Sequence, residues 1–379
     1  MNNPPLDPGR IAVIDVPPAE LRAAGLAALA AGSDLLIPAE APLVDEIALK
    51  AEAAGRGLLV LGPGSSGALV AGRPFGAASR VRAGNVGMVG SSASALHEVA
   101  ALLHRLGAGV SHALHVGPND VTDDVGGVGT LAALRRLEDD GSTDVIAIVG
   151  RPPARAAADA ILKQARALSR SVVICFVGSN VRGVDEHMAF VRTLHDAALA
   201  AAELSGAEEA ELDPTPPRPL PHRPGLARAL CTGAALAAEA AMVWKRRLGR
   251  AASDVPAPGL LPLEATALPD AHCALDVSGL PCAAYRDRLR AAASDPATAA
   301  LMVDLVLGLQ APADSATALL EALREARAAR PDLPLIASVV GTDDDPLPRG
   351  AQVALLEAAG IVVAPSNAVA ATWAAQIAK

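Results

Sequence analysis

Aromatic side chains are scarce: three Phe, two Trp and one Tyr in 379 residues, 2% of the chain, although hydrophobic residues make up 51%. A core with so few rings must be filled by Ala, Val, Leu and Ile, which suits helices laid on a parallel sheet. The same scarcity leaves little on which a nucleobase could stack. Basic residues are outnumbered as well, 32 against 41 acidic, for a formal charge of -9. Phosphate backbones are gripped by clustered Lys and Arg, so the balance argues against a nucleic-acid partner.

Cysteine is equally sparse. Cys175, Cys231, Cys273 and Cys282 show no C-x-x-C spacing, and Cys175 sits inside the apolar run Ser171 to Gly178. Reduced thiols and a cytoplasmic location are expected. Residues Met1 to Pro8 carry neither a basic stretch nor an apolar one, so no secretory signal is read there. The most apolar segment, Leu230 to Trp244, is interrupted by Glu239 and is too short to span a bilayer. No membrane role is expected, and 379 residues suffice for two or three domains.

What the sequence does have is alternation. Apolar runs of strand length alternate with alanine-rich helical segments, the pattern of an α/β chain with a parallel sheet covered on both faces. Ile11 to Val16, Asp34 to Ile37 and Leu58 to Leu61 make a short β-α-β-α-β piece, half of a Rossmann-type domain, within residues 1–80. A second series over 81–210 contains Val86 to Gly90, Val110 to Val116, Val145 to Val149 and Val172 to Val177, and closes with a helix from about Thr193 to Leu204. Residues 211–226 are rich in proline, which fits neither helix interior nor central strand, and read as an extended linker. The third domain is 227–379. Its Leu301 to Gly308, proline-containing turn, Ala/Arg-rich helix and Leu335 to Gly341 repeat the order of Val145 to Gly150 through Val172 to Gly178, so the two halves read as duplicated.

Ligands of doubly wound sheets bind beyond the carboxyl ends of the strands, where helix starts present unpaired N–H groups. The turns there are rich in small residues. Gly90, Ser91, Ser92 and Ser94, then Gly126 and Gly127, Thr232 and Gly233, Gly308, and Gly341 and Thr342 are the candidate contacts for a small anion. Gly62 to Gly67 and Gly117 to Asp120 are turns of the same kind. Each turn also has an ordinary reading, since Ser and Thr cap helices and Gly makes turns. No Gly-Lys-Ser/Thr follows any of them, and no spaced dinucleotide fingerprint is present, so ATP or NAD binding has no motif behind it.

Asp304 is an acid near the carboxyl end of an otherwise apolar strand. Such a carboxylate either faces a cleft or caps a neighbouring helix, and both readings stay open. Asp304, Thr232 and Glu239 are the candidate catalytic residues. Asp343, Asp344 and Asp345 beside a proline read as solvated or capping acids more readily than as a magnesium site. His112 and His115 are three apart in a strand, and His97 and His104 are two helical turns apart, so neither pair shares an ion; no metal site is expected.

Taken in order, Pro42 to Lys50, Gly57 to Pro63, Gly84 to Gly90, Asp124 to Gly127, Arg151 to Pro153, Cys231 to Glu239, Val303 to Gly308 and Val340 to Pro346 resemble the FdrA family. These are acyl-CoA synthetase-like proteins of the succinyl-CoA synthetase superfamily. The resemblance implies a CoA-binding-type Rossmann region followed by two flavodoxin-like ligase domains. It also implies one subunit of a transferase complex that moves a carbamoyl or acyl group between carbamoyl phosphate and a small carboxylate or amide such as oxamate, in allantoin catabolism. CoA or carbamoyl phosphate would be the ligand, and hetero-oligomeric partner subunits, a homodimer or both would be expected. A CoA-dependent ligase and a non-catalytic scaffold subunit are the alternatives. The superfamily's phosphohistidine loop falls at Gly178 to Met188, which has no Gly-His-Ala-Gly pattern. A His-Pro-Met-Ile-Asp stretch of the family is replaced here by Gly279 to Tyr285.

Overall fold

The computed structural model describes residues 4–179, 181–207, 212–263, 268–312 and 315–379, and the chain divides into two compact units, Met1–Ala210 and Glu211–Lys379. Asn180 of the Gly178 to Met188 loop and Glu211 of the linker lie outside the described residues.

The first unit opens with β1 (Ile11–Val13), α1 (Pro18–Ala30), β2 (Asp34–Leu36), α2 (Leu43–Gly55) and β3 (Val60–Leu61), whose strands form a parallel sheet in the order β1-β2-β3. Leu21, Leu29, Leu35, Ile37 and Leu49 fill its core. The chain then enters a second sheet earlier than the sequence suggests. A hairpin of β4 (Gly67–Val70) and β5 (Arg73–Gly76) pairs antiparallel with the edge of that sheet through Leu69 and Ala113. There follow β6 (Val86–Gly90), α3 (Ala93–Arg105), β7 (Val110–His115), α4 (Val128–Glu138), β8 (Val145–Gly150), α5 (Arg155–Arg166), β9 (Ser171–Phe176), β10 (Gly183–Asp185), β11 (Met188–Phe190) and α6 (Leu194–Leu204). The sheet order is β10-β11-β9-β8-β6-β7-β4-β5.

Its parallel core runs β7-β6-β8-β9-β11, which in chain order is second, first, third, fourth, fifth: the flavodoxin-like order, with its reversal between the first and third strands. Central strands β6, β7 and β8 are buried along their whole length, as sheets covered on both faces require.

The second unit contains β12 (Leu226–Cys231), α7 (Ala234–Leu248), β13 (Ala251–Ser253), β14 (Leu261–Pro262), β15 (His272–Asp276), α8 (Cys282–Ser294), β16 (Thr298–Val306), α9 (Ser315–Ala329), β17 (Leu335–Val340), α10 (Arg349–Ala358), β18 (Val362–Ala364) and α11 (Asn367–Ile377). Its sheet, β14-β13-β15-β12-β16-β17-β18, is parallel throughout and repeats the second-first-third-fourth-fifth order in β15-β12-β16-β17-β18, with β13 and β14 added at one edge. Helix α7 packs on α11, and α8 on α9. Both tryptophans serve this unit. Trp244 donates to the Ala371 carbonyl at 2.8 Å, tying α7 to α11, and Trp373 donates to the Pro214 carbonyl at 2.9 Å. The proline-rich segment therefore contains no helix or strand over 212–225 yet is pinned, with Arg223 N–H also donating to the Ile377 carbonyl at 2.8 Å. Among the described residues no helix is long and apolar enough to cross a membrane.

Candidate functional site

In the second unit, the ends of β12, β15 and β16 open on a cavity of about 440 Å³, lined by Thr232, Val277, Ser278, Asp304 and Val306 from the strand ends and by Cys282, Tyr285 and Arg286 from α8. This is the crevice where the strand order reverses, the usual ligand position of such sheets. Asp304 is 2% exposed. Its Oδ1 accepts the Thr232 backbone N–H at 2.8 Å, Oδ2 shares that N–H at 3.0 Å, and the Thr232 hydroxyl also donates to Oδ1. The two readings of Asp304 thus meet in one place: the carboxylate faces a cleft and also holds the turn that begins α7. The N-cap of α7, Gly233, makes no side-chain cap bond.

Two titratable groups close to Asp304 are kept neutral. Burial, reinforced by Asp304 and Asp276, pushes the Cys231 thiol well above its ordinary value, so this sulfur stays protonated. Burial, then Asp304 and Cys231, does the same to the Tyr285 hydroxyl. The cation of the cavity wall, Arg286, is bonded to Glu321 at 2.7 Å on the exposed side. The cavity offers the Asp304 carboxylate, the hydroxyls of Thr232, Ser278 and Tyr285 and the Cys282 thiol against a largely apolar wall.

Other residues expected at a site are dispersed. Glu239 is buried one and a half turns into α7, where it accepts from Asn367 Nδ2 at 2.7 Å and bridges α7 to α11; it does not line the cavity. Gly308 follows β16, and Gly341 and Thr342 follow β17. The Thr342 amide is already taken by Asp345 Oδ2 at 2.9 Å, and Asp343 Oδ1 accepts from Gly350 N–H at 2.6 Å. In the first unit Gly126 and Gly127 precede α4 in left-handed conformations, and the α4 start is filled from within: Asp120 accepts Gly129 N–H at 2.7 Å, Thr130 N–H at 2.9 Å and the Thr130 hydroxyl at 2.7 Å. At three of these turns, then, an incoming anion would have to displace one of the chain's own carboxylates, namely Asp304, Asp120 or Asp345.

The turn after β6 differs. Ser92 caps α3 through its own hydroxyl, Ser94 Oγ lies 3.3 Å from Ser92 Oγ, and Ser91 follows Gly90, whose added Cβ would stand 2.2 Å from the Val149 carbonyl. Gly90 pairs with Val149 in register, whereas in the second unit the paired register of β12 and β16 ends at Leu230 with Val303, the residue before Asp304. The duplicated strands therefore carry valine at the first switch point and aspartate at the second. His187 is turned to the Ala165 carbonyl, at 3.1 Å. Among the described residues no group of three or more His, Cys, Asp or Glu could hold a metal ion.

A family model described as CoA-ligase matches residues 230–377, the stretch that contains the Asp304 cavity. YahF of Escherichia coli (strain K12), an uncharacterized protein, is 32% identical over 349 residues, 85% of this chain and 68% of YahF. The chain belongs to the family of YahF. Its second unit contains the segment matched as CoA-ligase. Among solved structures, the dinucleotide forming acetyl-coenzyme A synthetase 1 of Ca. Korarchaeum cryptofilum is 17% identical in complex with phosphate and ADP and 19% identical in its apo form. Each covers 97% of this chain and 82% of the synthetase at a TM-score of 0.39, a likeness too loose to carry an argument about the site.

Within the YahF-family chain, the cavity wall contributed by α8 escaped the sequence. Cys282, Tyr285 and Arg286 have no motif spacing; the signals present were the replaced family stretch Gly279 to Tyr285 and Tyr285 as the chain's single tyrosine.

Proposed function

We propose that the chain is an FdrA-like, acyl-CoA synthetase-like subunit that serves transfer of a carbamoyl or acyl group, with the small substrate held in the Asp304 cavity. The observation that supports this reading is the position of that cavity, at the strand-order reversal of the domain matched as CoA-ligase, with Asp304 and Thr232 locked together at its end. Carbamoyl and acyl phosphates are already activated, so transfer needs orientation and dipoles aimed at the developing oxyanion more than acid-base groups. In this reading Asp304 orients the acceptor, whose N–H or O–H groups donate to the carboxylate. Thr232 is the positioning residue that fixes the carboxylate, and Tyr285, kept as a neutral hydroxyl, is a donor for a substrate oxygen. Partner subunits would supply what this chain lacks.

Calorimetry of the full chain with carbamoyl phosphate, oxamate and CoA, repeated with Asp304→Asn, tests it. Saturable binding of oxamate or carbamoyl phosphate that weakens at least tenfold in Asp304→Asn is expected. Binding of CoA alone, unaffected by that change, favours the CoA-dependent ligase that the family match also accommodates. If none of the three binds, to the chain or to the complex that co-purifies with it, the reading fails.

A further inference from the structure

In the first unit, a separate cavity of about 50 Å³ lies between the β4–β5 hairpin, α3 and β7. Four polar side chains line it, the exposed Ser66 and the more enclosed Ser79, His97 and His115. Ser79 Oγ and His97 Nε2 are 2.5 Å apart, a short hydrogen bond in which either atom is the donor according to the histidine tautomer. His115 ends β7, is 3% exposed, and neither of its ring nitrogens makes a hydrogen bond of normal geometry. The Ser91 backbone favours the charged form of that ring, but burial outweighs it. The opposite wall is apolar, with Leu69, Leu96 and Ala100.

A buried imidazole with no hydrogen bond of normal geometry, only the Ser91 backbone nearby, is rare, because each unmade bond forfeits the hydration that the group had in water. Something in the cavity must answer it. One water needs about 10–15 Å³ on this scale, so the space suits a guest of roughly four heavy atoms. An anion is a poor occupant. The lining holds no Lys or Arg; Lys50, whose charge acts on His115, directs its ammonium group to Glu46, Asp120 and the Val116 carbonyl, and a buried charge without a partner is costly. A purely apolar guest would leave His115 unanswered. What fits is a neutral molecule that carries both a donor and an acceptor beside a small apolar group.

We propose that this cavity is a binding site for a small uncharged carboxamide of about acetamide size. Its carbonyl accepts from the ring N–H of His115, its NH₂ donates to Ser79 Oγ, and its methyl group lies against Leu69, Leu96 and Ala100. Ser79 is held for this by His97. The proposal concerns the first unit alone and is independent of any reading of the Asp304 cavity.

The test is a titration of the full-length protein, labelled with ¹⁵N in its histidines, with acetamide at pH 7.5, the His115 signals being those missing from His115→Phe. Saturable movement of those signals in the millimolar range, with affinity reduced at least threefold in Ser79→Ala, is the expected result. Ser79→Ala tests the contact even where His115→Phe folds poorly, since the signals that move in the parent protein are then compared directly. No saturable movement, an equal response to acetate, or unchanged affinity in Ser79→Ala overturns the proposal and leaves the space to water.

Discussion

Asp304 grips Thr232 twice over, by the backbone N–H at 2.8 Å and by the hydroxyl, so that an acid at the end of one strand fixes the turn after its neighbour. The bond joins the first and third strands of the sheet core at the reversal of strand order. Asp304→Ala strands a half-buried N–H and removes the acceptor of the Thr232 hydroxyl, a loss of about 1–3 kcal/mol. Thr232→Ala keeps the backbone bond and gives up only the hydroxyl, about 0.5–1.5 kcal/mol. Urea titration should therefore rank Asp304→Ala as the more destabilising, while both variants impair any turnover that the cavity supports. Equal stability of Asp304→Ala and the parent would contradict the bond.

Asp304 was legible because an acid stands out in an apolar strand. Arg228 carries the same signal in β12 and is 2% exposed; it bonds the Pro269 and Ala271 carbonyls and Asp295 at 2.6–2.9 Å. The long central strands were readable from apolar runs ended by glycine. Short edge strands were not: β10 is exposed at all three positions, and β14 has two residues, so neither burial nor alternation marks them. Turn chemistry showed where helix starts would be, but not that Asp120 and Asp345 would fill two of them, because that depends on contacts made only after folding.

Helix α2 shows how little spacing says about energy. Glu46 with Lys50 and Glu52 with Arg56 are both i,i+4 pairs, at 2.8 and 2.6 Å. The first is buried and the second roughly half exposed, and only Lys50 also reaches Asp120, at 2.9 Å. Lys50→Met leaves two buried carboxylates unpaired, a loss of about 3–5 kcal/mol. Arg56→Met should cost less than about 1 kcal/mol. Chemical denaturation of the two variants side by side measures the difference; similar losses would refute the burial argument.

Arg136 and Asp34 form a second buried clasp in the first unit, with Nη1 to Oδ1 and Nη2 to Oδ2 each at 3.0 Å. Arg136 also donates to the Gly57 and Pro5 carbonyls, and Asp34 accepts the Leu59 N–H at 2.8 Å. Removing either partner strands the other, so Arg136→Met and Asp34→Leu should each cost about 3–5 kcal/mol, and the double variant clearly less than their sum. A thermodynamic cycle that closes additively would show the pair to be uncoupled.

The acid side of the stability profile should be set first by histidine. His115 has its pKa pulled from 6.5 to about 4, chiefly by burial, and burial lowers His112, His195 and His272 as well. With a folded pKa below the unfolded one, the unfolded chain takes up protons that the native protein refuses. Above pH 6.5 both states are neutral at these sites and nothing changes. As pH falls from about 6.5 to about 4, His115 alone should remove about 1.4 kcal/mol per pH unit, levelling off below its folded pKa. Asp254, raised by burial, opposes this loss, whereas Asp140 and Asp295, held low, add to it only nearer pH 3.8 and below. Urea midpoints between pH 7.5 and 4.5 should thus decline, and the decline should be shallower in His115→Phe. An equally steep profile in that variant would mean that the ring is already protonated, or already solvated, in the native protein.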